Sequence, residues 1–102
     1  MAAAETGDDV YGEDPTVTQL EKLAVSLTGK EAALFVTSGT QGNLLALLSH
    51  CERGDEYIAG NDAHTYRFEA GGGAVLGGIQ PQPIPFNERG ELEIEVIRQA
   101  IK

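Results

Sequence analysis

The tightest constraint on the fold is the run at residues 32–36, Ala-Ala-Leu-Phe-Val, which is short, wholly apolar and set between two helical patterns. Such a run has no polar face, so it reads as a strand covered on both sides, as in a parallel sheet layered with helices. Upstream, Asp14 and Pro15 mark a helix start, because Asp caps well and Pro fits the first helical position. Val17, Leu20, Leu23, Ala24 and Leu27 follow at three- and four-residue spacing, and Gly29 provides a left-handed stop. Downstream, Thr37-Ser38-Gly39-Thr40 interrupts the run, and a broadly apolar helix continues through residues 43–49. That helix is expected to pack on the sheet and on another helix.

The same alternation continues. Tyr57-Ile58-Ala59 reads as a second strand that Gly60-Asn61-Asp62 ends. Residues 64–70 suit a short helix, stopped by Gly71-Gly72-Gly73. Residues 79–84 suit a third strand, made irregular by Pro81 and Pro83. Ile94, Ile97 and Ile101 fall at i, i+3 and i+7, so an amphipathic helix is expected at the end. Residues 6–14 are acidic and aperiodic, a loop. The expected fold class is α/β, a parallel or mixed sheet with flanking helices. Three strands leave open sheet edges, and the final helix presents an apolar stripe, so the fold reads as incomplete and the isolated chain as marginally stable.

A length of 102 residues allows one small domain, with residues 1–13 as a leading loop and 14–102 as the α/β portion. Seven basic residues against sixteen acidic ones give a net charge of −9, which argues against nucleic acid or an anionic membrane as partner. No apolar run approaches the roughly 18 residues of a membrane span, and no secretory leader pattern opens the chain. Cys51 is the single cysteine, which excludes an intrachain disulfide and suits a reducing compartment; the expected location is the cytoplasm.

Two segments carry chemistry. A helix beginning at Ser38-Gly39-Thr40 presents unpaired N–H groups and a partial positive charge to an anion such as phosphate. Gly39 permits close approach, and Ser38 and Thr40 add hydroxyl donors. On the residues alone, capping and turn-making is the simpler account. The segment is neither a Gly-Lys-Ser/Thr phosphate loop nor a dinucleotide Gly-x-Gly-x-x-Gly. His64 follows the second strand, at the sheet end where α/β ligands gather. Its imidazole suits stacking on a planar group or moving a proton, although a satisfied surface histidine is again simpler. His50 ends a helix, where a dipole contact explains it. Glu69 reads as an acid–base group or as a solvated carboxylate. The triple glycine suits a turn or close packing. No metal-ligand spacing appears, and the acidic stretch 7–14 lacks the alternation of a calcium loop.

Taken together, Gly7-Asp8-Asp9-Val10-Tyr11-Gly12-Glu13-Asp14-Pro15-Thr16, Ser38-Gly39-Thr40-Gln41-Gly42-Asn43, Ser49-His50-Cys51-Glu52-Arg53-Gly54-Asp55-Glu56 and the run 64–72 resemble the threonine aldolases in order and spacing. The resemblance covers essentially the whole chain from Gly7. It implies part of the large domain of a fold-type-I enzyme dependent on pyridoxal 5'-phosphate. It also implies cleavage of threonine or allo-threonine, or of β-hydroxy-α-amino acids generally, to glycine and an aldehyde. By the same resemblance Ser38, Gly39 and Thr40 bind the cofactor phosphate, and His64 stacks on the pyridine ring and helps the hydroxyl proton leave. Tyr11, Phe68 and Glu69 are implied as substrate-binding or supporting positions. Tyr11 resembles a segment near the interface of a homodimer or homotetramer.

Two departures from the family pattern stand out. The Arg-Ser-Asp segment that precedes the matched region in the family has no counterpart. The lysine that anchors the cofactor, the aspartate facing the pyridine nitrogen and the arginine holding the substrate carboxylate also find no match; Lys22, Lys30 and Lys102, the only lysines, lie in no matching motif. The expectation is an N-terminal piece of a threonine aldolase, inactive alone. The alternatives are an inactive binding or assembly module and a β-eliminating lyase of the same broad family.

Overall fold

The computed structural model describes residues 2–102 and divides into two units, the first ending at Val36 and the second running Thr37–Lys102. In the first unit, the Asp8 carboxylate accepts the Val10 N–H at 3.0 Å and starts a single 3-10 turn, Asp9–Tyr11. This turn is the one piece of regular structure inside the expected loop. Asp14 does more. Its Oδ1 accepts the Val17 N–H at 2.9 Å, capping helix α1 (Pro15–Thr28), while its Oδ2 accepts the Gly7 N–H at 3.1 Å. One buried carboxylate therefore joins the loop to the helix. No side chain fits at Gly7, since a Cβ there stands 2.1 Å from the Glu13 carbonyl oxygen.

The N–H groups of Val17 and Gly7 hold the Asp14 carboxyl below the usual carboxylate range. A depressed folded value means that the stabilisation is complete above the unfolded value of about 4 and is lost as pH falls through the lower folded one. The amides of Val17 and Gly7 are accordingly expected to lose exchange protection in acid, below pH ~4. In Asp14→Asn that acid limb disappears, because the amide does not titrate; its single oxygen accepts only one of the two N–H groups, so the other contact is lost at every pH. An unchanged acid limb in the variant assigns the effect to another carboxyl.

Helix α1 ends as its sequence requires, on Gly29 at φ 67°, whose N–H donates to the Val25 carbonyl at 2.9 Å. The periodic stripe is present but only partly covered: Val17 and Ala24 are half-buried, while Leu20, Leu23 and Leu27 are exposed within this unit. The expected strand at 32–36 does not form. A strand exists only where a neighbouring backbone completes the ladder, and among the described residues none pairs with this run. The Phe35 N–H donates instead to the Glu21 carboxylate at 2.9 Å, and Leu34 stays 70 % exposed.

The second unit carries the sheet, with two strands rather than three. Helix α2 (Gly39–His50) is capped by Ser38, whose Oγ accepts the Gln41 N–H at 3.1 Å. Strand β1 (Glu56–Gly60) and strand β2 (Gln80–Ile84) pair in parallel, with Tyr57 opposite Pro81 and Ala59 opposite Pro83. The Gln80 N–H donates to the Asp55 carbonyl at 2.8 Å. Backbone direction alternates along a strand, so Pro81 and Pro83 turn their donorless nitrogens away from β1. Both prolines are thereby accommodated in the strand.

Two short helices connect the strands: α3 (His64–Arg67) and α4 (Gly72–Gly77). The helix expected over 64–70 is thus a single turn, and the triple glycine begins a helix instead of ending one. Ala70 at φ 52° and Gly71 at φ 66° explain both points, since two successive left-handed residues cannot continue a right-handed helix. Within α4, Gly73 and Gly77 are buried, and a Cβ on Gly77 stands 2.9 Å from Leu48 Cδ2. The missing side chains let α4 close on α2, which packs on α4 and α3. Helix α5 (Ile94–Ala100) leans on β2 and stops one residue before Ile101, so Ile101 leaves the expected helical stripe. Among the described residues, the buried apolar side chains are Ala59, Ile79 and Ile84. No helix among the described residues is long and apolar enough to cross a membrane.

Candidate active site

The first turn of α2 is built as a donor surface. Gln41 folds back so that its Oε1 accepts both the N–H and the hydroxyl of Thr37, each at 2.9 Å, which uses up the Thr37 hydroxyl. Ser38 Oγ only accepts, from Gln41, so its own hydrogen remains to be donated. A Cβ built on Gly39 meets nothing within 4 Å, so the backbone there is open to a ligand. The first-turn amides have no intrahelical acceptor, and no acidic residue occupies that turn. Ser38, Gly39 and Thr40 therefore form a set of neutral donors at the positive end of a twelve-residue helix, which suits a phosphate ester.

His64 opens α3 directly after β1. The turn that presents it is closed by the Ala63 N–H on the Gly60 carbonyl at 2.9 Å. Its Nδ1 lies 2.9 Å from Glu69 Oε1, and the same oxygen accepts the Asn43 side-chain amide at 2.7 Å. The Glu69 side chain is 5 % exposed while that of His64 is 60 % exposed. The carboxylate is thus covered, and the imidazole presents a face to solvent. The Asn43 amide, ahead of His64 and against the opposing effect of burial, holds the Glu69 carboxyl below the usual range, so it is ionised at neutral pH. Burial first and the Glu69 charge second push the Tyr57 phenol up, so it keeps its proton; its hydroxyl donates to the Thr65 carbonyl at 3.3 Å.

The Phe68 ring lies 5.6 Å from the His64 ring at a 45° tilt and is largely exposed. The Arg67 guanidinium sits 5.4 Å from the Phe68 centroid and pairs with Asp62. The structure therefore gathers His64, Phe68 and Glu69, and Asn43 links them to the helix that begins at Gly39. Tyr11 belongs to the first unit, exposed on its 3-10 turn. Asn43 is the member that sequence reasoning left without a role. Its position four residues after Gly39, on the same helix face one turn along, was the available signal. Its partner, 26 positions away, left no local trace. Among the described residues, no group of three His, Cys, Asp or Glu is placed to hold a metal ion.

A family model described as beta-eliminating lyase matches residues 1–102. The chain is 61 % identical over 102 residues to the low specificity L-threonine aldolase of Escherichia coli K12, covering 100 % of this chain and 31 % of that protein. It is 50 % identical over 103 residues to the probable low-specificity L-threonine aldolase 2 of Arabidopsis thaliana, covering 100 % of this chain and 29 % of that protein. Identity to the low specificity L-threonine aldolase of Saccharomyces cerevisiae is 35 % over 96 residues, covering 93 % and 25 %. The chain thus spans about a quarter to a third of the length of these curated relatives. With every residue inside the matched region, the chain belongs to the beta-eliminating lyase family.

Proposed function

We propose that this chain supplies the phosphate cradle and the ring-facing histidine of a pyridoxal-phosphate-dependent, fold-type-I carbon–carbon lyase acting on threonine and related β-hydroxy-α-amino acids. The observation that carries this reading is the linkage of His64, through Glu69 and Asn43, to the helix whose first turn offers the anion donors. Relatives named threonine aldolase, up to 61 % identical over the whole chain, support the reaction class.

Both parts of the site fit the cofactor: neutral donors for a dianionic phosphate, and a flat, half-open imidazole for an aromatic ring. When bound, pyridoxal phosphate supplies an electron sink for the pair released as the Cα–Cβ bond breaks. The Gly39 and Thr40 amides and the Ser38 and Thr40 hydroxyls would hold the phosphate. His64 would stack on the ring and take the proton of the substrate hydroxyl, with Phe68 screening one side from water. The products are glycine and an aldehyde. Tyr11 lies near the interface of a homodimer or homotetramer in the full-length cytoplasmic enzyme. Alone the chain is inactive, because none of Lys22, Lys30 and Lys102 matches the anchoring lysine of that family.

The test is an absorbance titration of the chain with pyridoxal phosphate beside pyridoxal, which lacks the phosphate. Binding that requires the phosphate, and that weakens roughly tenfold in Gly39→Asp, is the expected result. Equal binding of the two compounds, or none of either at millimolar concentration, sinks the reading. Borohydride fixation on one lysine together with threonine cleavage overturns the inactivity of the chain alone.

A further inference from the structure

We infer that Asn43 is a positioning residue that acts through Glu69 to hold the hydrogen of His64 on Nδ1, leaving Nε2 as the nitrogen that accepts a proton. The inference rests on the proposed role of His64 and goes beyond it by naming the atom and the residue that sets it.

Donors and acceptors around Glu69 fix the tautomer. Glu69 Oε1 stands 2.7 Å from Asn43 Nδ2 and 2.9 Å from His64 Nδ1. An ionised carboxylate only accepts, so both partners must bring a hydrogen. A neutral imidazole has one N–H; with that hydrogen on Nδ1, the lone pair lies on Nε2. Nδ1 carries a hydrogen in the protonated ring as well, so the contact survives the proton transfer. The nitrogen that changes state is then the one pointing away from Glu69.

Asn43 matters because the Glu69 side chain is covered. The Asn43 amide reaches the same Oε1 from α2 and keeps that oxygen in front of Nδ1. Without that donor the carboxylate stays ionised but is free to turn away from the ring. An imidazole released from it returns to the tautomer mixture of a free ring, with more hydrogen on Nε2. The Nε2–H form cannot accept a proton where the substrate hydroxyl is to be met. Other neighbours do not replace Asn43: the Tyr57 hydroxyl is directed to the Thr65 carbonyl, and Arg67 is paired with Asp62. Asn43 also lies one turn beyond Gly39 on α2, so the helix assigned to the phosphate also sets the proton on His64.

The experiment is a long-range proton–nitrogen NMR correlation on the full chain with nitrogen-15 in histidine, at a pH where the rings are neutral. His50 and His64 are the only histidines, so His50→Gln assigns both. The wild type is expected to show a protonated-type Nδ1 and an unprotonated Nε2 for His64. Asn43→Leu keeps a similar bulk without a donor or a charge, and Asn43→Ala removes the donor with a smaller side chain. Either is expected to shift the tautomer ratio toward Nε2–H at least roughly fivefold, with His50 unmoved. A packing role leaves the ratio unchanged in the similarly sized Asn43→Leu, and that result in a folded variant overturns the inference. So does a wild-type ring with its hydrogen on Nε2. No cofactor is added, so failure here is separate from failure of phosphate-dependent binding, and success is independent of it.

Discussion

Replacing Ile79 by alanine is expected to remove about 2–5 kcal/mol of stability from the second unit, enough to abolish most of its cooperative unfolding. Ile79 is 1 % exposed and is the one large side chain that is essentially fully buried among the described residues. It leads into β2 and is tied to α4 by its N–H on the Gly73 carbonyl at 3.0 Å. A Cβ on Gly77 stands 2.7 Å from Ile79 Cδ1, so the side chain fills the space that the α4 glycines leave. Truncation removes those contacts and leaves a void that a five-residue strand and a six-residue helix cannot easily close. Ile79→Val, which deletes one methylene, is expected to cost about 0.5–1.5 kcal/mol. Urea unfolding followed by circular dichroism, with amide exchange in β1 and β2, measures both. A loss below ~1 kcal/mol for the alanine variant shows that the core does not depend on Ile79.

Gly60→Ala is expected to cost about 1–3 kcal/mol through overpacking. The Phe86 ring lies directly on Gly60, with its Cζ 1.9 Å from where a Cβ stands. A methyl group there must expel the ring or bend the strand. The consequence reaches the site, because the Gly60 carbonyl accepts the Ala63 N–H that closes the turn before His64. The double variant Gly60→Ala with Phe86→Leu is expected to recover much of the loss, giving a coupling of about 1 kcal/mol or more. Additive losses in that cycle place the strain elsewhere in the strand.

The features legible in the sequence are those whose causes lie within a few residues. Asp14 capping Val17, Pro15 in the first turn and Gly29 closing α1 are contacts spanning three or four positions, and each was readable from residue type and spacing. Ser38 capping α2, and the donor surface that follows, are of the same kind. The strand at residues 80–84 was readable despite its prolines, because only the alternation of backbone direction was needed to see how they are tolerated.

What depended on distant residues was not legible. Residues 32–36 have the composition of a strand, yet strand identity comes from a paired backbone, which this run lacks among the described residues. The glycines at 71–73 look like a terminator, and only the left-handed pair Ala70 and Gly71 shows that the chain restarts there as α4. By itself, then, the sequence determined α1 and α2 with their caps, governed by short-range hydrogen bonds. The tertiary structure alone decided which strands pair, how α4 closes on α2, and that Asn43 and Glu69 meet at His64, because those contacts join residues far apart in the chain, 26 positions for Asn43 and Glu69, that no local pattern connects.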